Sequence, residues 1–240
     1  MATAEDTTVL ILCGGRGTRL QGDGAALPKP LVEIGGRPIV WHVVMAYFAA
    51  GFRNFLLLTG YLGDQIEAFV EETDWPGGVH VEAVDTGIDT PTGGRVRAVT
   101  ERIGQETFCL TYADGLIDAD LGELLEDHCD SGAAATVTVV KPELPFGVVR
   151  LSEGDLVEGF EEKPRSSEWV NGGFLFAGPE LLAELEPAEP LEGAPLAALA
   201  DAGTLRAARH EGFWACMDTY KEASMLNDLW DSGKAPWRKW

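Results

Sequence analysis

Residues 8–13, Thr-Val-Leu-Ile-Leu-Cys, form an unbroken apolar run that stops at Gly14-Gly15. Six residues is strand length, and an apolar run without alternation marks a strand covered on both faces, the habit of parallel sheets. Residues 54–59, 79–84, 108–111 and 135–140 also read as strands, the first of them buried. Helical segments fall between them. Pro38 opens a helix as a first-turn residue and Gly51 stops it, residues 63–72 and 95–103 read as helices, and Asp120 caps a helix reaching His128. Alternating strands and helices require right-handed crossovers, so the predicted fold is α/β, with a mostly parallel sheet and helices on both faces.

After Phe146 the pattern changes. Residues 147–151, 156–160 and 173–177 read as short strands separated by turns, which predicts antiparallel additions in the C-terminal half. Residues 179–185 and 195–202 read as helices, 205–210 as a final strand and 219–230 as a terminal helix. The acidic, proline-rich stretch 184–193 reads as a surface loop. No repeat or long linker interrupts the chain, so residues 1–240 are expected to form one domain.

Composition removes several functional classes. An apolar share of 45% is too high for a disordered chain. Eighteen Lys plus Arg against 39 Asp plus Glu give a net charge of −21, which argues against nucleic acid or an anionic membrane as partner. No apolar run approaches bilayer length, and the first residues lack the basic and apolar regions of a signal peptide, so the cytoplasm is the expected location. Cys13, Cys109, Cys129 and Cys216 show no C-x-x-C spacing and are expected to be reduced and structural.

In so acidic a chain, clustered cations are informative. Leu12-Cys13-Gly14-Gly15-Arg16-Gly17-Thr18-Arg19-Leu20, with Lys29-Pro30 behind it, leaves the C-terminal end of the first strand, where open α/β sheets bind ligands. Three glycines let backbone N–H groups approach an anion, and Thr18, Arg16, Arg19 and Lys29 add donors suited to phosphates. The spacing is neither a Walker A loop nor a dinucleotide fingerprint. Asp114 follows a strand at the same sheet edge, and Asp218 precedes the last helix. Meeting beside a polyphosphate, the two would hold Mg²⁺, although Asp114-Gly115 also suits a turn and Asp218 also suits an N-cap. Residues 85–95 form a polar loop running into a helix start, a place for anions or base edges. Glu162-Lys163-Pro164 and Asn171-Gly172-Gly173 offer a cation for a phosphate and an amide for sugar hydroxyls, and also read as solvated turns. Trp41, His42 and Phe48 read as core or interface, and His128 as a capping charge at a helix end. Trp230, Trp237 and Trp240 read as a docked tail or a subunit contact.

These residues together resemble the sugar-1-phosphate nucleotidyltransferases, and among them the cytidylyltransferases that act on glucose 1-phosphate. The similarity runs from residues 12–20 and 29–42 through 85–95, 112–115, 162–164 and 169–173 to 212–214 and the tail at 233–237. It implies a Rossmann-like core, a nucleotide-binding half in residues 1–115 and a sugar-phosphate-binding half in 116–240. It implies that Arg19 and Lys29 act on the triphosphate and that Asp114 and Asp218 ligate Mg²⁺. Leu12, Cys13, Gly14, Gly15, Arg16, Gly17, Thr18, Thr90, Gly93, Arg95 and Ala113 would meet the nucleotide, and Glu162, Lys163, Asn171 and Gly172 the sugar phosphate. The implied substrates are a nucleoside triphosphate, CTP first, and a sugar 1-phosphate, glucose 1-phosphate first, with a homo-oligomer as the implied assembly. The alternatives are another base or sugar, or a non-catalytic nucleotide-binding homologue. Cys13 and Ala113 stand where that family usually has Ala and Gly, residues 69–84 form a shorter segment, and residues 184–193 match poorly.

Overall fold

The computed structural model describes residues 2–15 and 26–240. Its first elements are β1 (Thr8–Leu12), β2 (Glu33–Ile34), β3 (Arg37–Pro38), α1 (Ile39–Ala49), β4 (Asn54–Thr59), α2 (Gly63–Glu72) and β5 (His80–Asp85). Next come α3 (Thr92–Ala98), α4 (Thr100–Ile103), β6 (Phe108–Tyr112), β7 (Gly115–Ile117), α5 (Leu121–Ser131) and β8 (Ala135–Val140). The last are β9 (Val148–Leu151), β10 (Val157–Glu161), β11 (Val170–Ala177), α6 (Pro179–Ala183), α7 (Ala194–Asp201), β12 (Leu205–Arg209), β13 (Trp214–Cys216) and α8 (Tyr220–Asp231).

Seven strands form the main sheet in the order β12-β8-β11-β6-β1-β4-β5. β1 lies between β6 and β4 and is parallel to both. The reversal is β11, antiparallel to β6 and to β8, in the C-terminal half as expected. Alternation along β1 sends Val9 and Ile11 to one face and Leu10 and Leu12 to the other. The first face packs against α1, α5 and α8 through Val43, Tyr47, Leu125 and Leu226, and the second against α3, α6 and α7 through Val96, Leu181 and Leu199. Both faces are therefore dry, which is why the strand reads as a continuous apolar run.

Several local expectations change. Pro38 precedes α1 as its N-cap instead of lying in its first turn, with extended backbone at φ −52°, ψ 143°. The helix expected at 95–103 starts at Thr92 and divides at Val99, whose φ of −112° breaks the helical path. β2, β3, β7 and β13 span only two or three residues, too few to leave a periodic signature. Residues 184–193 are more than a surface loop. Leu185 and Leu191 are fully buried, and the loop lies so close to α3 that a Cβ on Gly94 would stand 2.2 Å from the Pro187 carbonyl oxygen. His128 is not a helix-end charge: it is buried, Nδ1 lies 3.0 Å from Thr136 Oγ1, and burial lowers its pKa.

The C-terminal tail docks on the chain itself. Trp237 is fully buried and donates from Nε1 to His42 Nδ1, while His42 Nε2 faces the Ile34 carbonyl at 2.8 Å. The Trp230 and Trp240 rings pack around the same imidazole. This apolar enclosure lowers the His42 pKa to about 4. All four cysteines are free thiols, Cys13 and Cys109 being buried. Among the described residues no helix is long and apolar enough to cross a membrane.

Candidate active site

A cavity of about 590 Å³ opens at the C-terminal ends of β1 and β6. Leu12, Cys13, Gly14, Gly15, Lys29, Thr90, Arg95, Ala113, Asp114 and Asp218 all line it. Arg16, Gly17, Thr18 and Arg19 lie outside the described residues. A second cavity, of about 350 Å³, is lined by Asn171 and Gly172 and shares Tyr112, Asp114 and Asp218 with the first.

Asp114 and Asp218 are 104 positions apart, and a short strand pair unites them. β7 starts just after Asp114 and β13 ends just before Met217, and the two run antiparallel with Cys216 opposite Gly115. Met217 N–H then donates to the Asp114 carbonyl at 2.9 Å. Lys29, on a single 3₁₀ turn begun after Pro28, reaches both acids: Nζ donates to Asp114 Oδ2 and, at 2.6 Å, to Asp218 Oδ1. Desolvation opposes the lysine charge, but the two carboxylates outweigh it and raise its pKa.

One ammonium against two carboxylates leaves the cluster negative, with room for further positive charge. Oxygens of Asp114 and Asp218 and the Cys216 sulfur lie within 4.8 Å of one another. Burial, then the neighbouring carboxylates, pushes the Cys216 thiol up, so it remains neutral. Two carboxylate arms at a ligand-sized cavity are the donor set of a hard divalent cation that completes its shell with phosphate oxygens. The residues fit the expected ion.

Arg95 is almost wholly buried, and its terminal nitrogens are engaged inside the protein. They donate to the carbonyls of Thr59, Gly14 and Ile88 and to Thr86 Oγ1. The guanidinium thus binds the loop after β1 to the loop after β5, shaping the cavity wall. Gly14 makes this possible, since a Cβ there would overlap the guanidinium at 2.0 Å. Thr90 belongs to the same wall, donating to the Thr86 carbonyl at 2.6 Å.

Three residues expected at the site fall outside both cavity linings. Gly93 faces the 184–193 loop, where a Cβ would stand 2.6 Å from the Glu189 carbonyl oxygen. Glu162 and Lys163 are exposed beyond the end of β10, Lys163 with a left-handed φ of 49°. Asn171 and Gly172 do reach the second cavity, where Trp214 Nε1 fixes the Gly172 carbonyl at 2.7 Å and Asn171 Oδ1 accepts from Gly173 N–H. Sequence reasoning missed Tyr112, which borders both cavities, and Glu192, which accepts from the Tyr112 hydroxyl and from Thr92 Oγ1. Tyr112 stood in view two residues before Asp114. Glu192, inside an acidic stretch, carried no signal.

With this geometry established, comparison with known proteins is informative. The family model described as nucleotidyl transferase matches residues 8–204. A glucose-1-phosphate cytidylyltransferase of Salmonella typhi is 36% identical over 258 residues, covering 96% of this chain and 98% of its own. The protein of the same name from Salmonella typhimurium gives the same identity and coverage. Among solved structures, HddC from Yersinia pseudotuberculosis superimposes with a TM-score of 0.75 at 19% identity, over 93% of this chain and 99% of that one, a likeness of fold.

Proposed function

The chain belongs to the nucleotidyl transferase family, and on that premise we propose that it moves a nucleotidyl group from a nucleoside triphosphate to a sugar 1-phosphate, releasing pyrophosphate. CTP and glucose 1-phosphate are the leading pair, as the names of the full-length relatives suggest. The observation that carries the reading is Lys29 held between Asp114 and Asp218, two acids that border both cavities. A two-substrate transfer needs its charged groups at such a boundary.

In the proposed reaction a phosphate oxygen of the sugar 1-phosphate attacks the α-phosphorus in line, and the bond to pyrophosphate breaks. The attacking monoester is already ionised at neutral pH, so no protein nucleophile is required. The protein positions two anions and offsets their repulsion. Mg²⁺, when bound to Asp114 and Asp218, supplies charge neutralisation on nucleotide oxygens. Lys29 and Arg19 steady the triphosphate, and residues 12–18 with Thr90 and Ala113 bind the nucleotide. Arg95 serves by holding two walls of that cavity together. Asn171 and Gly172 meet the sugar phosphate in the second cavity, and Glu162 and Lys163, which lie outside both cavity linings, bind it only if the β9–β10 hairpin moves in. Residues 1–115 thus handle the nucleotide and 116–240 the sugar phosphate, within one domain. A homo-oligomer and a cytoplasmic location complete the proposal, supported by the exposed apolar hairpin β9–β10 and by four free thiols.

The test is pyrophosphate release from CTP, UTP, dTTP and GTP, each crossed with several sugar 1-phosphates, with Mg²⁺ and with excess chelator. CTP with glucose 1-phosphate is expected to turn over fastest, and chelator to abolish the signal. Silence across the whole panel would identify a nucleotide-binding homologue instead.

A further inference from the structure

Glu192 belongs to none of the motifs above, yet its carboxylate is tied to both cavities. Oε2 accepts from Thr92 Oγ1 at 2.6 Å, and Oε1 accepts from the Tyr112 hydroxyl. Thr92 Oγ1 in turn accepts from Leu191 N–H at 2.8 Å, closing a small ring between the loop and the start of α3. Leu191, fully buried, anchors the loop from beneath. The carboxylate is therefore held at a set place although its residue is exposed.

Its contact on the other side is the ring that divides the site. Tyr112 ends β6, with its backbone paired to Leu12 of β1, and its side chain lines the first cavity and the second. The ring lies against Gly173, where a Cβ would approach Cδ2 to 2.9 Å. Main chain, ring edge and hydroxyl are thus each restrained by a different segment. Of the three restraints, Glu192 alone acts at the hydroxyl tip.

We propose that Glu192 is a positioning residue for the transfer: by holding the Tyr112 hydroxyl it fixes the partition between the two cavities, and so the line along which the sugar phosphate meets the nucleotide. The inference rests on the nucleotidyl-transfer reading. Small misplacements in such a partition are costly, because in-line attack tolerates little angular error.

Steady-state kinetics of four variants test it, with thermal unfolding measured alongside. Glu192→Ala should lower kcat/KM for the sugar 1-phosphate about tenfold, and Tyr112→Phe should do the same. Their combination should be no worse than either single change, since both remove one contact. Glu192→Gln keeps an acceptor for the phenol and should recover to within about threefold of the parent. A merely structural loop residue would shift the unfolding temperature without this shared, non-additive loss. Unchanged kcat/KM in Glu192→Ala, or losses that multiply in the double variant, would overturn the inference while the parent enzyme remains active. A parent chain silent on every substrate pair would overturn the functional reading and this inference with it.

Discussion

Of the three lysines in this chain that stand directly before a proline, Lys29 and Lys163 meet different fates. Lys29 sits in a short turn under the central strands, mostly covered, with its ammonium between Asp114 and Asp218. Lys163 follows the hairpin β9–β10, both of whose strands are exposed, with Phe160 67% accessible beside it. Their backbones differ too, Lys29 lying in a 3₁₀ turn and Lys163 taking a left-handed φ of 49°. Of the two, Lys29 is the one whose carboxylate neighbours give its ammonium a defined position. The charge before proline is thus a local trait, and its fastening is a property of the surrounding sheet.

Four experiments would break or sharpen this contrast. On the buried side, Arg95→Met would leave the Gly14 and Ile88 carbonyls without the guanidinium, and a loss of about 4 kcal/mol in denaturant unfolding is expected. Acid should find the same side weak. His42 titrates near 6.5 when unfolded and at about 4 when folded, so between these values the unfolded chain binds more protons. Stability is therefore full above pH 6.5 and declines by roughly 3 kcal/mol as pH falls to 4, a slope that unfolding curves of His42→Gln should lack. Asp114→Asn should lower kcat about a hundredfold, or about 2.7 kcal/mol of barrier, at saturating substrates; near-parental turnover would remove Asp114 from the mechanism. On the hairpin, Leu156→Ser, at a position 71% accessible, should change stability by less than about 0.5 kcal/mol. A large loss there would show that the hairpin is covered in solution, and sedimentation would then identify a second copy as the cover.

Much of the α/β core is legible in the sequence. The segments at 54–59 and 135–140 became β4 and β8 without adjustment, because a strand covered on both faces is mostly apolar along its whole length, with threonine the usual exception. Gly51 stopped α1 as expected, at a φ of 99° that favours glycine. Where local signal was thin, the reading slipped. Thr92 opens α3 under Pro91 instead of Arg95 opening it, and His128 is a buried partner of Thr136. Gly93, Glu162 and Lys163 carried the right chemistry in sequence and lie outside both cavity linings.

By itself the sequence determined which segments are strands, which strand end carries the glycine loop, and which acids and lysines were candidates. Those properties depend on neighbours a few residues away, through burial periodicity and turn chemistry. Only the tertiary structure decided that Asp114 meets Asp218, that Arg95 turns inward to bind two loops, and that Glu192 reaches Tyr112 across 80 positions. Each of these depends on which strands become neighbours and how closely loops can approach. That is settled by packing both faces of the sheet at once, and the pairing of β7 with β13 is too short to announce itself in composition or period.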